Sequence, residues 1–388
     1  MPYDVVSTEE ARAQAGNNPL SFLRVSRPEL ELPQGTDPHS AEVYDRAARN
    51  FEQFRKSTLV VEDEPALYLY RLRDGDHEQT GLAACYSVDE YDRDVIKKHE
   101  RTRKDKEDDR TRHMLALGAQ TGPVFLVYRA MDEIDALCAR AADEAPLFDF
   151  EASDGVQHTI WRLPNSPVRN VVSAFTRVPS LYIADGHHRA ASAARARDEI
   201  RRQTMSRHRL EKDPDYTTFL AVAFPHTQVK ILPYNRIVKH LGSMTPDAFL
   251  AAVEQRFIVT ETGSTPRSKG EIAMYFGHRW RSLGSRHPPQ GADPIRSLDV
   301  SLLQQQLLEP VLGIEDVRTD KRIDFVGGAR GTGELERLVN IGDAVVAFSM
   351  HPVSVADLMT VSDAGAIMPP KSTWFEPKLR DGLLIHLI

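Results

Sequence analysis

Four stretches of this chain carry residue types that could do chemistry. The sharpest is Leu181-Tyr182-Ile183-Ala184-Asp185-Gly186-His187-His188-Arg189, followed by an alanine-rich segment over 190–194. An apolar strand ends at Asp185, Gly186 permits a tight turn of positive φ, and a helix starts at the histidines. The first N–H groups of such a helix lack intrahelical acceptors, and its dipole adds positive potential there. His187, His188 and Arg189 beside those donors predict a site for phosphate or another oxyanion, with His188 a candidate catalytic group. The plainer alternative is a strand–turn–helix junction whose aspartate caps the helix and whose histidines are only polar surface. Zinc is a third option, but adjacent histidines point in different directions and no third ligand is evident, so no metal ligand is assigned.

The second stretch is Lys97-Lys98-His99-Glu100-Arg101-Thr102-Arg103-Lys104-Asp105-Lys106-Glu107-Asp108-Asp109-Arg110. It reads as part of a long charged helix beginning at Asp89, with His99, Arg103, Lys106 and Arg110 on one side. Mixed charge at these spacings usually means a solvated face laced with ion pairs. The functional alternative is a polyanion clamp with Glu100 as general base. Third, Phe325-Val326-Gly327-Gly328-Ala329-Arg330-Gly331-Thr332-Gly333-Glu334 fails the phosphate-loop pattern, because Glu334 stands where lysine is required. An ordinary strand–helix connection is predicted there. Fourth, Ile367-Met368-Pro369-Pro370-Lys371-Ser372-Thr373-Trp374-Phe375-Glu376-Pro377-Lys378 is a stiff cationic segment. It is either a tail strapped over the surface or a loop closing a site, with Lys371 reaching an anion.

The elements that must position these residues alternate along the chain. A helix starts at Ser7-Thr8 and stops near Gly16, a short strand is expected over 21–25, and a helix over 41–54. A hairpin pairs 67–72 with 81–86 around Asp74-Gly75-Asp76. Strands are expected at 124–128, 156–163, 181–184, 218–224, 229–232, 322–326 and 344–348, and helices at 132–142, 246–255, 300–312 and 335–339. The class is therefore α/β, specifically α+β with a mixed sheet. A chain of 388 residues suggests two domains, 1–235 and 236–388, divided near Pro233-Tyr234-Asn235. An apolar share of 41% is enough for a sizeable core without covalent staples. The net charge of −7 argues against a chain that coats nucleic acid or anionic membrane. Cys85 and Cys138 stand far apart, so each reads as a small buried hydrophobe rather than half of a disulfide. With no run near the ~20 apolar residues of a membrane span and no secretory pattern at the start, a reducing cytoplasm is expected.

Taken in order, several motifs resemble one family. They are Pro2-Tyr3-Asp4-Val5-Val6, Asn18-Pro19-Leu20-Ser21-Phe22-Leu23, the run from His99 to Arg110, Ala119-Gln120-Thr121-Gly122-Pro123, Tyr182-Ile183-Ala184-Asp185-Gly186-His187-His188-Arg189 and Met368-Pro369-Pro370-Lys371-Ser372-Thr373. The chain resembles the bacterial and archaeal family called domain of unknown function 1015. Members of that family usually carry a further segment, including a strand, before Pro-Tyr-Asp, so either a start further upstream or the lack of an edge strand is expected. Its Asp-Gly-His-His-Arg turn is similar to the phosphate-binding turn of the ParB/sulfiredoxin superfamily. That superfamily includes nucleotide-binding partition proteins, sulfiredoxins and kinases of free serine. No cysteine stands in the turn, which subtracts the sulfiredoxin chemistry, and no helix-turn-helix follows residue 205, which counts against a partition protein.

What the resemblance implies is a ParB/sulfiredoxin-like nucleotide-binding region over 1–235 and an α/β region over 236–388 whose tail closes the site. The implied activity is phosphoryl transfer to a free amino acid, serine first. ATP, ADP or pyrophosphate would be the donor, with Mg²⁺ bridging its phosphates. Gly186, His187, Arg189, His99, Arg103, Lys106, Arg110 and Lys371 would hold phosphate, and Glu100 or Asp185 would take the hydroxyl proton. The competing class is a nucleotide-responsive regulator without chemistry, contacting DNA through the arginine-rich 195–209. Partners are then a small substrate and a donor, not membrane or nucleic acid, with homo-oligomerisation left open.

Overall fold

The computed structural model describes residues 8–62, 64–205, 214–261, 263–288 and 293–388. The Pro2–Val6 motif, the Ser7 helix start and part of the 195–209 segment lie outside the described residues. Contacts divide the chain into two units, Met1–Val229 with Pro377–Ile388, and Lys230–Glu376. The division falls at 229/230 instead of the expected 235/236, and the last twelve residues return to the first unit.

In the first unit the hairpin of β1 (Tyr68–Asp74) and β2 (His77–Ser87) turns at Gly75, in register from Tyr68–Ala83 to Asp74–His77. Further strands are β3 (Ile96–Lys97), β4 (Ala119–Gln120), β5 (Val124–Tyr128), β6 (Phe148–Glu151), β7 (Gln157–Arg162), β8 (Leu181–Asp185) and β9 (Thr218–Pro225). Eight strands form one mixed sheet in the order β3-β8-β5-β9-β2-β1-β7-β6. The β5–β9 and β3–β8 pairs are parallel and the others antiparallel. All five residues of β5 are buried, which is why its sequence is an unbroken apolar run.

The helices of this unit are α1 (Thr8–Ala15), α2 (Leu23–Ser26), α3 (Ala41–Ser57), α4 (Val88–Asp92), α5 (Lys104–Leu117), α6 (Asp132–Ala141), α7 (Asn165–Phe175) and α8 (His187–Met205). Ile134, Val171, Ala190 and Ala193 pack with Leu69, Leu126 and Ile183 in the main core. The small alanines of α8 bring its axis close to the sheet. Phe51, Phe54, Val25 and Leu117 form a second, smaller core.

Two expectations are corrected here. The strand expected over 21–25 is helical, because Val25 is buried against α3 and its backbone closes local turns such as Arg24 N–H to Ser21. The long charged helix from Asp89 does not form. It stops at Asp92, Asp94 takes a left-handed φ of 56°, and Ile96–Lys97 joins the sheet beside β8 before α5 begins at Lys104. Sheet pairing of a β-branched residue outcompetes the helical charge pattern. Lys106 and Arg110 stay one turn apart on α5, but His99 and Arg103 precede it, so the four do not line one helix face.

The second unit holds β10 (Lys230–Leu232), β11 (Tyr234–Val238), β12 (Phe257–Glu261), β13 (Glu271–Phe276), β14 (Arg279–Ser285), β15 (Ile323–Gly327), β16 (Val346–Ser349) and β17 (Trp374–Glu376). Six of them form an antiparallel sheet, β12-β14-β13-β16-β11-β15, while β10 pairs with β17. Tyr234 and Asn235, expected in a turn, open β11. Its helices are α9 (Pro246–Arg256), α10 (Asp299–Leu303), α11 (Gly331–Asn340) and α12 (Val355–Asp363). The single helix expected over 300–312 changes to a π turn over Gln304–Leu308. A last strand, β18 (His386–Leu387), pairs with β4 in the first unit.

Candidate functional site

Asp185 ends β8, Gly186 turns the chain at φ 92°, and α8 begins at His187. A Cβ on Gly186 would stand 3.4 Å from Val124 Cα, so the turn packs directly on β5. No acidic residue occupies the first turn of α8. The positive end of a 19-residue helix thus meets the chain's own Asp185 and whatever anion is supplied from outside.

Both histidines of the turn are used as acceptors. His187 is buried, and its Nε2 accepts the backbone N–H of His99 at 3.4 Å. His188 Nε2 accepts the backbone N–H of Arg103 at 3.0 Å. Together they staple the connection between β3 and α5 across the start of α8. Burial, and then the neighbouring His99, hold His187 well below the usual imidazole pKa. Burial brings His99 down to about 4 even though its ring donates to the carbonyl of Ile183. The His99 and His187 rings meet edge to face with centroids 4.5 Å apart. All of this keeps both rings neutral at pH 7.

The cations come from elsewhere. Lys378 Nζ lies 3.1 Å from Asp185 Oδ2. Burial raises the Asp185 carboxyl, but Lys378 and Arg189 outweigh it and hold the pKa below the usual carboxylate range. The Asp185 side chain nonetheless keeps 42% of its surface open. Arg189 donates to the carbonyl of Pro123 at 2.9 Å and pairs with Asp381 at 3.3 Å. A Cβ on Gly122 would come within 2.3 Å of that Asp381 carboxylate. Gln120 fixes the same loop by bonding Thr218 O at 3.0 Å and Leu220 N at 2.7 Å. The Ala119–Pro123 motif is thus the mount that aims Arg189.

The returning C-terminal segment is anchored by a buried network. Arg380 Nε donates to His158 Nε2 at 3.2 Å, which leaves the His158 Nδ1–H to donate to Tyr70 Oη at 2.8 Å. Arg380 also pairs with Asp154 at 2.5 Å. Burial, with Arg380 adding to it, pushes the His158 pKa down to about 4.

Of the expected site residues, Asp185, Gly186, His187, His188, Arg189, His99 and Glu100 come together at this junction. Arg103 contributes its backbone, while its exposed guanidinium turns to Asp105 at 2.7 Å. Lys106 is exposed on α5. Arg110 is held by Asp109 at 2.6 Å and, with Arg189 and Asp381, lines a cavity of about 40 Å³. That volume suits a water or two, not a phosphate donor. Lys371 belongs to the second unit, where its ammonium lies 5.5 Å from the Tyr234 ring centroid. Among the described residues of the arginine-rich segment, Arg195 pairs with Glu107 and Asp108 and Arg197 with Asp89, Asp92 and Asp198.

Lys378 and Asp381 were not assigned from sequence, although Lys378 sits in the same proline-rich segment as Lys371. A third ligand candidate also emerges: His99, Glu100 and His187 offer donor atoms within 4.8 Å of one another. The β3–β8 pairing brings that set together from residues far apart in sequence. Two nitrogens and one carboxylate suit a zinc-like divalent ion rather than Mg²⁺.

Among the described residues, no helix is long and apolar enough to cross a membrane. No curated protein matches the chain. Among solved structures it is similar to a free serine kinase in complex with AMP, at 11% identity and a TM-score of 0.38, covering 84% of this chain and 95% of that one. It is also similar to SbnI with a C-terminal truncation from Staphylococcus aureus, at 13% and 0.41, covering 79% and 87%. A conserved hypothetical protein from Pyrococcus furiosus gives 12% and 0.36, covering 83% and 97%. Likeness at these values carries no functional argument. The model of the protein family of unknown function DUF1015 matches residues 1–301, and this chain belongs to that family.

Proposed function

We propose that this protein is a small-molecule phosphotransferase, a kinase of free serine or a similar amino acid, built on a ParB/sulfiredoxin-like first unit. The observation that carries the reading is the start of α8, where a helix N-terminus without first-turn acids meets Arg189, Lys378 and the accessible Asp185. Phosphoryl transfer needs little beyond positioning and charge stabilisation, and such a junction supplies both.

In this reading the N-terminus of α8, with Arg189 and Lys378, holds the transferred phosphoryl group of ATP, ADP or pyrophosphate. The serine hydroxyl oxygen attacks its phosphorus, the bond to the bridging oxygen breaks, and the shortened donor leaves. Asp185 is a poor choice of base, because Lys378 and Arg189 lower its proton affinity. The hydroxyl proton therefore goes to Glu100. The ionised Asp185 is the oxygen donor that fits Mg²⁺, whose chemistry is to neutralise the donor's phosphates. His187 and His188 act as positioning residues that hold Glu100's connection against the helix.

The test is phosphorus NMR of the full chain with Mg²⁺, serine and each of the three donors. Formation of phosphoserine with one donor is the expected result. Absence of transfer with all three, in a preparation folded by circular dichroism, removes the kinase reading; donor binding without turnover would point to a regulator instead.

A further inference from the structure

The proline-rich segment finds a second use within the second unit, at a guanidinium that has no counter-ion among the described residues. Arg236 on β11 is 3% exposed. It donates to the carbonyl of Tyr234 and, at 3.0 Å, to that of Lys371, and its guanidinium carbon lies 5.5 Å from the Phe325 ring centroid. Among the described residues no carboxylate comes within ion-pair distance of it. Burial lowers its pKa to about 10, which still leaves it a cation at neutral pH. An uncompensated buried charge is among the costlier features a fold can hold.

This arginine lines a cleft of about 290 Å³ whose walls include Val300, Leu308, Pro369 and Pro370. Gln304 lines it too, from the π turn that interrupts the helix, a distortion frequent at functional sites. Its amide nitrogen donates to Ile314 O at 2.7 Å and Glu315 O at 3.2 Å, which fixes the amide's orientation. Its buried Oε1 then has no donor among the described residues. Next to Pro370, Lys371 holds a φ of 57°, a conformation non-glycine residues seldom adopt without a constraint. Its carbonyl is thereby turned to Arg236.

We infer that this cleft binds a small organic or inorganic anion, a carboxylate or a phosphate, whose acid group pairs with Arg236 and whose body lies against Leu308, Pro369 and Pro370. The volume is at the small end for ligand sites, so a metabolite fits and a nucleotide does not. At the rim Asp316 is paired with Arg318 at 2.9 Å while Glu315 is exposed, which favours a singly charged acid over a polyphosphate. The inference is independent of the kinase reading, since every residue it uses belongs to the second unit.

Calorimetric titration of the full chain with inorganic phosphate and, separately, with butyrate distinguishes the two acid types. One of them binds with Kd below about 5 mM. Arg236→Met weakens that binding at least about tenfold, the loss expected for a charge-assisted hydrogen bond. Val317→Trp, which fills the cleft from its rim and leaves Arg236 in place, weakens it equally and decides the matter if Arg236→Met does not fold. Every titration is made on the Arg189→Ala chain, so that the anion site proposed for the first unit does not contribute. The inference is overturned if neither probe binds that chain or if binding survives both second-unit variants.

Discussion

Each unit contains a strand that turns through glycine into a helix, and the two junctions differ in what surrounds the helix start. At β8–α8 the first turn carries His187, His188 and Arg189 and no acid, with Lys378 alongside. At β15–α11 the first turn carries Glu334, which pairs with Arg337 at 2.7 Å. The second junction thus meets its helix dipole with its own carboxylate. Its extra glycines serve packing: a Cβ on Gly327 would stand 2.8 Å from the Trp374 ring, and one on Gly328 would stand 2.6 Å from Pro233 O. Glycine content does not make an anion site. What sets the first junction apart is a helix start without an acid of its own, flanked by an Arg189 that Pro123 and Asp381 aim and by Lys378, which is the arrangement the proposed phosphate site uses.

The units that carry these junctions should separate most widely in acid. Burial lowers His99 and His113 to about 4, and His158 likewise with help from Arg380. Between pH 6.5 and 4 these rings bind protons when unfolded and not when folded, so stability falls as pH drops through that window. Each costs the first unit up to about 3 kcal/mol. In the second unit, burial raises Asp299 to about 6. Its folded form binds the extra proton, so its contribution runs the other way and improves from pH 6 to 4. Hydrogen exchange at pH 4.5 should therefore deprotect β5 and β9 before β13 and β16. Equal loss of protection in both sheets would contradict this assignment of buried neutral histidines.

Next in size is the effect on the proposed phosphoryl transfer. Glu100→Gln should lower the transfer rate about 10²–10⁴-fold while donor affinity is retained, the usual loss for a general base. A rate within error of wild type would move the proton to another group. Arg189→Ala should weaken donor binding about ten- to a hundredfold, the range for a charge-assisted hydrogen bond. Arg330→Ala, at the start of α11, should not. If both substitutions cost the same, the two junctions are not functionally distinct.

Much of this contrast was visible in the residues. The Leu181–Asp185 strand, the Gly186 turn and the cationic helix start are local, and so is the failure of the Gly327–Glu334 loop as a phosphate site. What local pattern could not supply was the partner of each charge. The run from Lys97 to Arg110 has helical charge spacing throughout, yet β3 leaves the helix to pair with β8 and carries His99 and Glu100 to α8. Lys378 reaches Asp185 from 193 residues away. Lys371 and Lys378 share one motif, but the chain leaves the second unit between them. Arg236 gave no signal at all, since an arginine within β11 looks like ordinary strand polarity until its burial is known.

The smallest effect tests the comparison most directly. Glu334→Gln removes the carboxylate that answers the α11 dipole and leaves the Arg337 side chain without its ion pair. Helix-terminal charges of this kind contribute about 0.3–1 kcal/mol when exposed, so thermal stability should drop by no more than that. The informative readout is sulfate binding measured at low salt. With Glu334 neutral, α11 has an unanswered N-terminus and the nearby Arg330, yet it has no counterpart of the Arg189 mount or of Lys378. Sulfate affinity should stay at the wild-type value, because a dipole and one exposed arginine do not order an anion against water. A new site there, comparable in affinity to the first unit's, would show that removing an internal acid is enough, and that the Pro123 and Asp381 contacts which aim Arg189 are dispensable.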